Sequence, residues 1–557
     1  MHTRLSVSNE SPAAGASIFL LSVILLTAVA LAAQEDHSRH DHGATSGLGT
    51  VHFPISCSAP AQEKFTRGVA LLHSFGYEEA AQIFSEIGAA EPSCGMAYWG
   101  VAMTYYHPVW APPTRQDLER GAEASANAIR ASAKTQRERD YIEAIAALYR
   151  EWATVPFRKR AEAYREAMKQ QHERYSGDDE AAIFYALAVR GLADDNDKTL
   201  TEQKKAADIL LAVLPRNQKH PGVAHYIIHS FDYPTLAEKA LPAARTYARI
   251  APDAPHALHM PSHIFTRLGL WDESIESNLA SAAAAKRRAA KMHPGAGSFD
   301  ELHADDYLIY AWLQEAEDGR SLEVLGEMRA MTKVDDPQFA AAYAFAAAPV
   351  RYALERHDWK AAAVLEISPV WFPWNNFPYA EAIPNFARAL GCARTGKLAG
   401  ARRAIAKLAE LKRVEPPGQP YDWATQIEIQ EIAAQSWVAL ASGSKNDALK
   451  LARTAADLED RTEKHPVTPG SVLPARELLA DMLLETGSPA AALAEYKAAL
   501  EVTPRRFRSI AGAARAAELA GDRDTAKAYY TDLTTLAKNS TAARPELVRA
   551  AAFLGGK

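Results

Sequence analysis

Five histidines fall in two clusters with helical spacing. His225 and His229 stand four residues apart, and 34 residues later His259 and His263 repeat the pair, with His256 three residues ahead. Positions i, i+3, i+4 and i+7 share a helix face, so each cluster reads as a line of imidazoles on one side of a helix. Downstream, His303, Asp306 and Tyr310 show the same i, i+3, i+7 spacing, and upstream His73 and His107 are again 34 apart. Neutral imidazoles with a carboxylate suit a transition metal ion: Zn, Cu, Ni or Fe. On this reading His225, His229, His259 and His263 form the core of a metal site. His256, His303 and Asp306 are further ligands or supports for them. Water activated there would find a base in Asp306 or Asp232, or a proton donor in Tyr310. Two other readings stay open: a metal-free polar pocket for a small ligand or peptide terminus, and histidines satisfied by hydrogen bonds where helices pack.

Other chemistries are argued against by what is missing. The second cluster runs His256-Ala-Leu-His259-Met-Pro-Ser-His263, without the glutamate of an H-E-x-x-H zinc hydrolase. No C-x-x-C-H occurs, so covalent haem is not indicated. No Walker loop, G-x-S-x-G elbow or dinucleotide fingerprint suggests a nucleotide or a serine nucleophile. With 62 basic against 68 acidic residues, the net charge of −6 speaks against a phosphate-gripping nucleic-acid binder. The 557 residues exceed what one hydrophobic core organises, and 48% hydrophobic residues with only 29 Gly favour helices over turn-punctuated strands.

The elements that must carry these side chains repeat. Gly487, Ala492, Tyr496 and Pro504 recur in part as Gly521, Ala526 and Tyr530, each 34 residues on, and Gly68, Tyr77, Ala80 and Pro92 hold similar relative places. The Gly-to-Ala step returns at Gly396 with Ala401 and at Gly443 with Ala448. Small residues let two helices cross closely, an aromatic fills the groove between them, and proline ends the second helix. This pattern resembles the tetratricopeptide repeat (TPR) superfamily, including its exported bacterial members. The resemblance implies an all-α superhelical solenoid of about eleven helical hairpins between Ala61 and about Asn539. With repeats beginning at Pro221 and Pro255, it places the five clustered histidines on the concave groove. Tyr310, His73, His107, Asp232 and Arg267 are further groove candidates. The commonest role the family implies is a scaffold whose groove grips an extended peptide or partner protein, and that remains the alternative to a metal site.

The apolar run Ile18 to Ala33, with Arg4 ahead of it and Ala30-Leu31-Ala32 before Gln34, reads as a secretory signal peptide over residues 1–33. An exported protein, periplasmic or secreted and not held in a membrane after signal removal, is expected. Residues 34–60, carrying His37, His40 and His42, read as a flexible lead-in. Residues 61–414 read as the N-terminal and central repeats with the histidine-rich groove, and 415–557 as the C-terminal repeats, the Pro-rich segment 415–421 marking the boundary. In an oxidising compartment Cys57 and Cys94 are placed to form a disulfide, while Cys392 reads as a buried core thiol. The segment His465-Pro466-Val467-Thr468-Pro469-Gly470 reads as a rigid connector.

Overall fold

The structure is a computed structural model that describes residues 47–110, 112–416 and 421–556. The signal-peptide segment and His37, His40 and His42 lie outside the described residues. Among the described residues the chain is all-α, the TPR-type solenoid that the repeat implies. Eleven complete two-helix hairpins run from Ala59–His73 to Arg523–Leu536. A truncated one, Phe339–Leu354 with the single turn Trp359–Ala362, interrupts them, and helix Pro545–Leu554 follows the last. The only extended pairing described is an isolated bridge between Gly297 and Val334.

Local chemistry accounts for the hairpins. Thr114 and Thr135 each close a capping box with the acid three residues on, starting helices Arg115–Ala131 and Gln136–Tyr149. Proline occupies the first turn of Pro221–Phe231, Pro255–His259, Pro261–Arg267 and Pro489–Val502, where its missing N–H has no helical partner to lose. Gly487 and Gly521 both turn the chain with positive φ, +83° and +80°, between the helices of their hairpins. The crossing residues Ala492 and Ala526 and the groove fillers Tyr496 and Tyr530 are buried.

Each hairpin packs on its neighbours. The helices on either side of residues 415–421 continue this stacking, with Lys412 paired to Glu431 at 2.9 Å. The first apolar cluster takes in part of the lead-in. Residues 47–58 are not a free strand leading to the first helix, because Leu48, Val51 and Phe53 are buried. Phe53 packs at 5.3 Å from both Phe65 and Trp99. Cys57 and Cys94 are joined by a disulfide across a separation of 37 residues. Closing a loop of that size stabilises by about 3–4 kcal/mol on the chain-entropy account.

The repeat alone reads as an elongated array, but the superhelix turns back on itself. Trp271 and Tyr310 share an apolar cluster with Phe507, Tyr530 and Leu533. Trp271 Nε1 donates to the Arg505 carbonyl at 2.9 Å, and the Phe507 N–H donates to Gln314 Oε1 at 3.0 Å. Arg506, wholly buried, bridges Glu355 at 2.7 Å and Glu477 at 2.8 Å, closing the turn with paired charge. Burying Arg506 without those carboxylates would be strongly unfavourable, so the closure is specific.

The segment 460–474 does more than connect. Asn196 Oδ1 accepts from the Glu463 N–H at 3.0 Å, and Arg267 donates to the Glu463 carboxylate at 2.8 Å. Lys464 pairs with Asp232 at 3.0 Å, and Arg351 donates to the carbonyls of Gly470 (2.7 Å) and Ser471 (3.1 Å). His465 stacks on Trp423 with ring centroids 5.1 Å apart. Partners drawn from so many repeats show that the segment fills the space the helices enclose. At this level the groove is occupied by the chain itself.

Candidate metal centre

Helix Pro221–Phe231 carries His225 and His229 on one face, as their i,i+4 spacing requires. The second cluster does not lie on one uninterrupted face. Pro261 has no N–H to continue the ladder, so Pro255–His259 and Pro261–Arg267 meet at a tightened turn in which the His263 N–H reaches the Met260 carbonyl at 3.2 Å. His256, at the start of the short helix, joins the first helix's pair, while His259 and His263, on either side of the break, join His303 from helix Phe299–Gln314.

The result is two triads rather than a four-histidine core: His225, His229 and His256, and His259, His263 and His303. Within each, one nitrogen per ring lies within 4.8 Å of the others. His225 Nε2 is 3.1 Å from both His229 Nε2 and His256 Nε2, and His259 Nε2 is 2.9 Å from His263 Nε2. Nitrogens bound tetrahedrally to one ion at about 2.0–2.1 Å stand about 3.3 Å apart, close to this spacing. The triads are neighbours, with His229–His263 and His256–His259 ring centroids both 6.2 Å apart. All six imidazoles are buried, at 0–7% exposure, so they do not line an open concave face.

The outer nitrogens fix the tautomers of three of the rings. His225 Nδ1–H donates to the His73 carbonyl at 2.7 Å, and His259 Nδ1–H to Asn278 Oδ1 at 2.6 Å. The Asn278 amide cannot be reversed, because its Nδ2 donates to the Ser274 carbonyl at 2.7 Å. His263 Nδ1–H donates to Asp232 Oδ2 at 3.0 Å. Burial alone would raise the Asp232 carboxyl, but Lys464, Arg267 and His263 hold it well below the usual range, so it only accepts. A ring that donates from Nδ1 keeps a lone pair on Nε2. His259 and His263 therefore point lone pairs at one another across 2.9 Å, with His303 Nε2 beside them, buried and without a hydrogen-bond partner.

Burial, and after it the neighbouring rings, hold His229, His256, His259 and His303 well below the ordinary imidazole value. Burial pushes His225 down to about 3 and also lowers His263, against the opposing pull of Asp232. Neutral rings with free lone pairs are what a metal ion requires of histidine. Aromatic rings close the site. Phe75 packs against all three rings of the first triad, at 4.4 Å from His225 and 5.2 Å from His256. Trp110 meets His256 and His303 edge-on, each at 5.7 Å. A crevice of about 210 Å³, lined by Arg190, Asp232, Arg267, Lys464 and Pro466 among others, reaches His229.

The remaining sequence candidates lie elsewhere. Asp306 belongs to neither triad and offers no base there. It pairs with Arg351 at 3.1 Å, a partner supplied by helix Phe339–Leu354 that spacing within 303–310 could not reveal. Asp232 orients His263 from behind the ring, and Arg267 in turn binds Asp232 at 2.8 Å. Tyr310 faces away from the triads and accepts from Arg506 at 3.2 Å. The tyrosine against the second triad is Tyr307, 4.8 Å from His259 and 5.0 Å from His263. It follows His303 by four residues, a helical spacing that could have found it. His107 bonds to the Thr104 carbonyl at 2.7 Å, outside both triads.

His73 sits in a third cluster. Its Nε2 and that of His220 each meet one oxygen of buried Glu180 at 2.9 Å, while its Nδ1 pairs with the Tyr226 hydroxyl at 3.0 Å. Gly222 leaves the room for that ring, since a Cβ there would stand 2.6 Å from His73 Nδ1. Glu180, Asn278 and Lys464 have no signal in local spacing, because distant segments bring them in.

No family model matches the chain, and no curated protein matches it. Among solved structures, Naa15/Naa10 bound to HypK-THB is similar at 13% identity over 89% of this chain and 92% of that one, with a TM-score of 0.26. The APC/C hetero-tetramer Cut9–Hcn1 is 11% identical over 88% and 90%, TM-score 0.30. Yeast Tom70 is 12% identical over 89% and 95%, TM-score 0.34. Likeness at that level carries no argument about chemistry, which rests on the side chains just described.

Proposed function

We propose that this chain is a transition-metal-binding protein whose ligands are the two histidine triads, and that, with residues 1–33 as an export signal, it works outside the cytoplasm. One observation carries the reading. The Nε2 lone pairs of His259 and His263 face each other at 2.9 Å with both rings fixed from behind by hydrogen-bond acceptors. Two lone pairs so close repel unless a cation lies between them. The unpartnered His303 nitrogen beside them supplies a third donor. Acceptors behind the rings, a backbone carbonyl, an amide oxygen and a carboxylate, are the usual means of orienting metal-bound histidines.

The chain's own residues bind and orient; the ion would add Lewis acidity or electron exchange. Asp232 holds His263, Asn278 holds His259, and the His73 carbonyl holds His225. The rings of Phe75 and Trp110 keep water off the triads. Elemental analysis of protein purified without a His-tag tests the reading, wild type beside a His225→Ala/His259→Ala variant. Wild type should retain metal and the variant should lose most of it. Equal content in the two would overturn the assignment of these ligands.

A further inference from the structure

We propose that the two triads hold a pair of cuprous ions, one in each. This rests on the metal-binding reading above and adds the ion's identity and number.

The first argument is charge. All six ligands are neutral imidazoles, and no carboxylate belongs to either triad. The nearest charged groups already cancel: Asp232 is met by Arg267 and Lys464, Arg267 also meets Glu463, and Arg190 meets Asp195 at 3.0 Å. The third cluster, behind the His73 carbonyl, holds the buried carboxylate Glu180, but its oxygens are taken by His73 and His220 and it belongs to neither triad. An ion in either triad thus brings its charge into a buried site with no anionic ligand to offset it. The cost of burying an ion rises with the square of its charge, so a monovalent ion is strongly preferred. The adjacency of the triads adds to this, since repulsion between two dications is roughly four times that between two monocations at the same distance.

The second argument is coordination. Zn, Ni and Fe as dications take four to six ligands, completed by carboxylates or water. Here Phe75 and Trp110 stand against the rings and offer no donor, and beside the second triad Tyr307 adds only a hydroxyl and no carboxylate. Three nitrogens are a complete shell for Cu(I), which accepts trigonal coordination. Imidazole is among copper's usual ligands.

The test uses the full chain without a tag, stripped by chelator. One portion is reloaded with Cu(I) alone under reducing, oxygen-free conditions and one with Zn(II) alone, and ions per chain are counted by native mass spectrometry. Expected are two protected Cu(I) ions in wild type, and one in each of His229→Ala and His303→Ala. Those losses separate triad copper from copper held by His37, His40, His42 or Cys392. Circular dichroism checks that the variants fold, and the wild-type count stands without them. When both metals are offered equally, copper should prevail by at least about 100-fold. Zinc filling both triads as tightly as copper, or copper stopping at one ion per chain, would overturn this inference and leave the metal-binding reading intact. Retention of neither metal would overturn both.

Discussion

The His73–Glu180–His220 cluster and the second triad are both buried, and both bring histidine nitrogens within 3 Å of an acceptor. They differ in how donors and acceptors match. In the first, each ring nitrogen facing Glu180 can give a proton to a carboxylate oxygen, so every contact at the centre of the cluster pairs a donor with an acceptor, and the one orphan nitrogen, His220 Nδ1, lies on the far side of its ring from Glu180. In the second, His259 and His263 commit their protons to acceptors outside the site, so two acceptor nitrogens face one another inside it. Burial and proximity therefore do not mark a metal site. On the proposed reading, lone pairs that face one another inside the site do.

Breaking each cluster should have opposite consequences. Glu180→Ala removes the carboxylate that two buried imidazoles share, and unfolding by urea should show about 3–5 kcal/mol of lost stability. Metal content per folded chain should not change. Asn278→Leu acts on the other side, depriving His259 of the acceptor that orients it. Competition against a chromogenic chelator should show metal affinity in that triad about 10–100-fold weaker, with the His225 triad unaffected. Gly222→Ala drives a methyl group against His73 and, through the His73 carbonyl, disturbs the seat of His225. A stability loss of about 1–3 kcal/mol is expected from overpacking, together with weaker metal retention in the first triad only.

The smallest effect concerns the 460–474 segment that lies against Asp232. Burial pushes His465 down to about 3. Between pH 6.5 and about 3 the unfolded chain binds that proton and the folded chain does not, so stability falls as pH falls through this window. In metal-free protein, His465→Gln should make the acid slope of the melting temperature shallower by about one proton. An unchanged slope would show that His465 does not stay docked and neutral.

The hairpins were legible in sequence because a 34-residue spacing of Gly, Ala and Tyr records local helix packing. The return of the superhelix was not, since Arg506 meets Glu355 and Glu477 only after the repeats are stacked. Six of the seven proposed ligands fall in the triads, because i,i+4 and 34-residue spacings are themselves geometric. Their partition was hidden because it falls inside one helical turn, between His256 and His259, whose partners come from different helices, and Asp306 was misread because Arg351 comes from another hairpin. The loop at 460–474 carries no periodic signal, so its place inside the array follows only from its long-range partners.

The central claim is that imidazole nitrogens of these triads bind a metal ion together. X-ray absorption at the edge of whatever metal accompanies tag-free protein tests it most directly. The account predicts a first shell of about three nitrogens at about 2.0 Å with the outer-shell scattering of imidazole rings, lost in His259→Ala/His225→Ala. A shell of oxygen or sulfur without imidazole scattering, or protein that neither retains nor takes up metal, would contradict it.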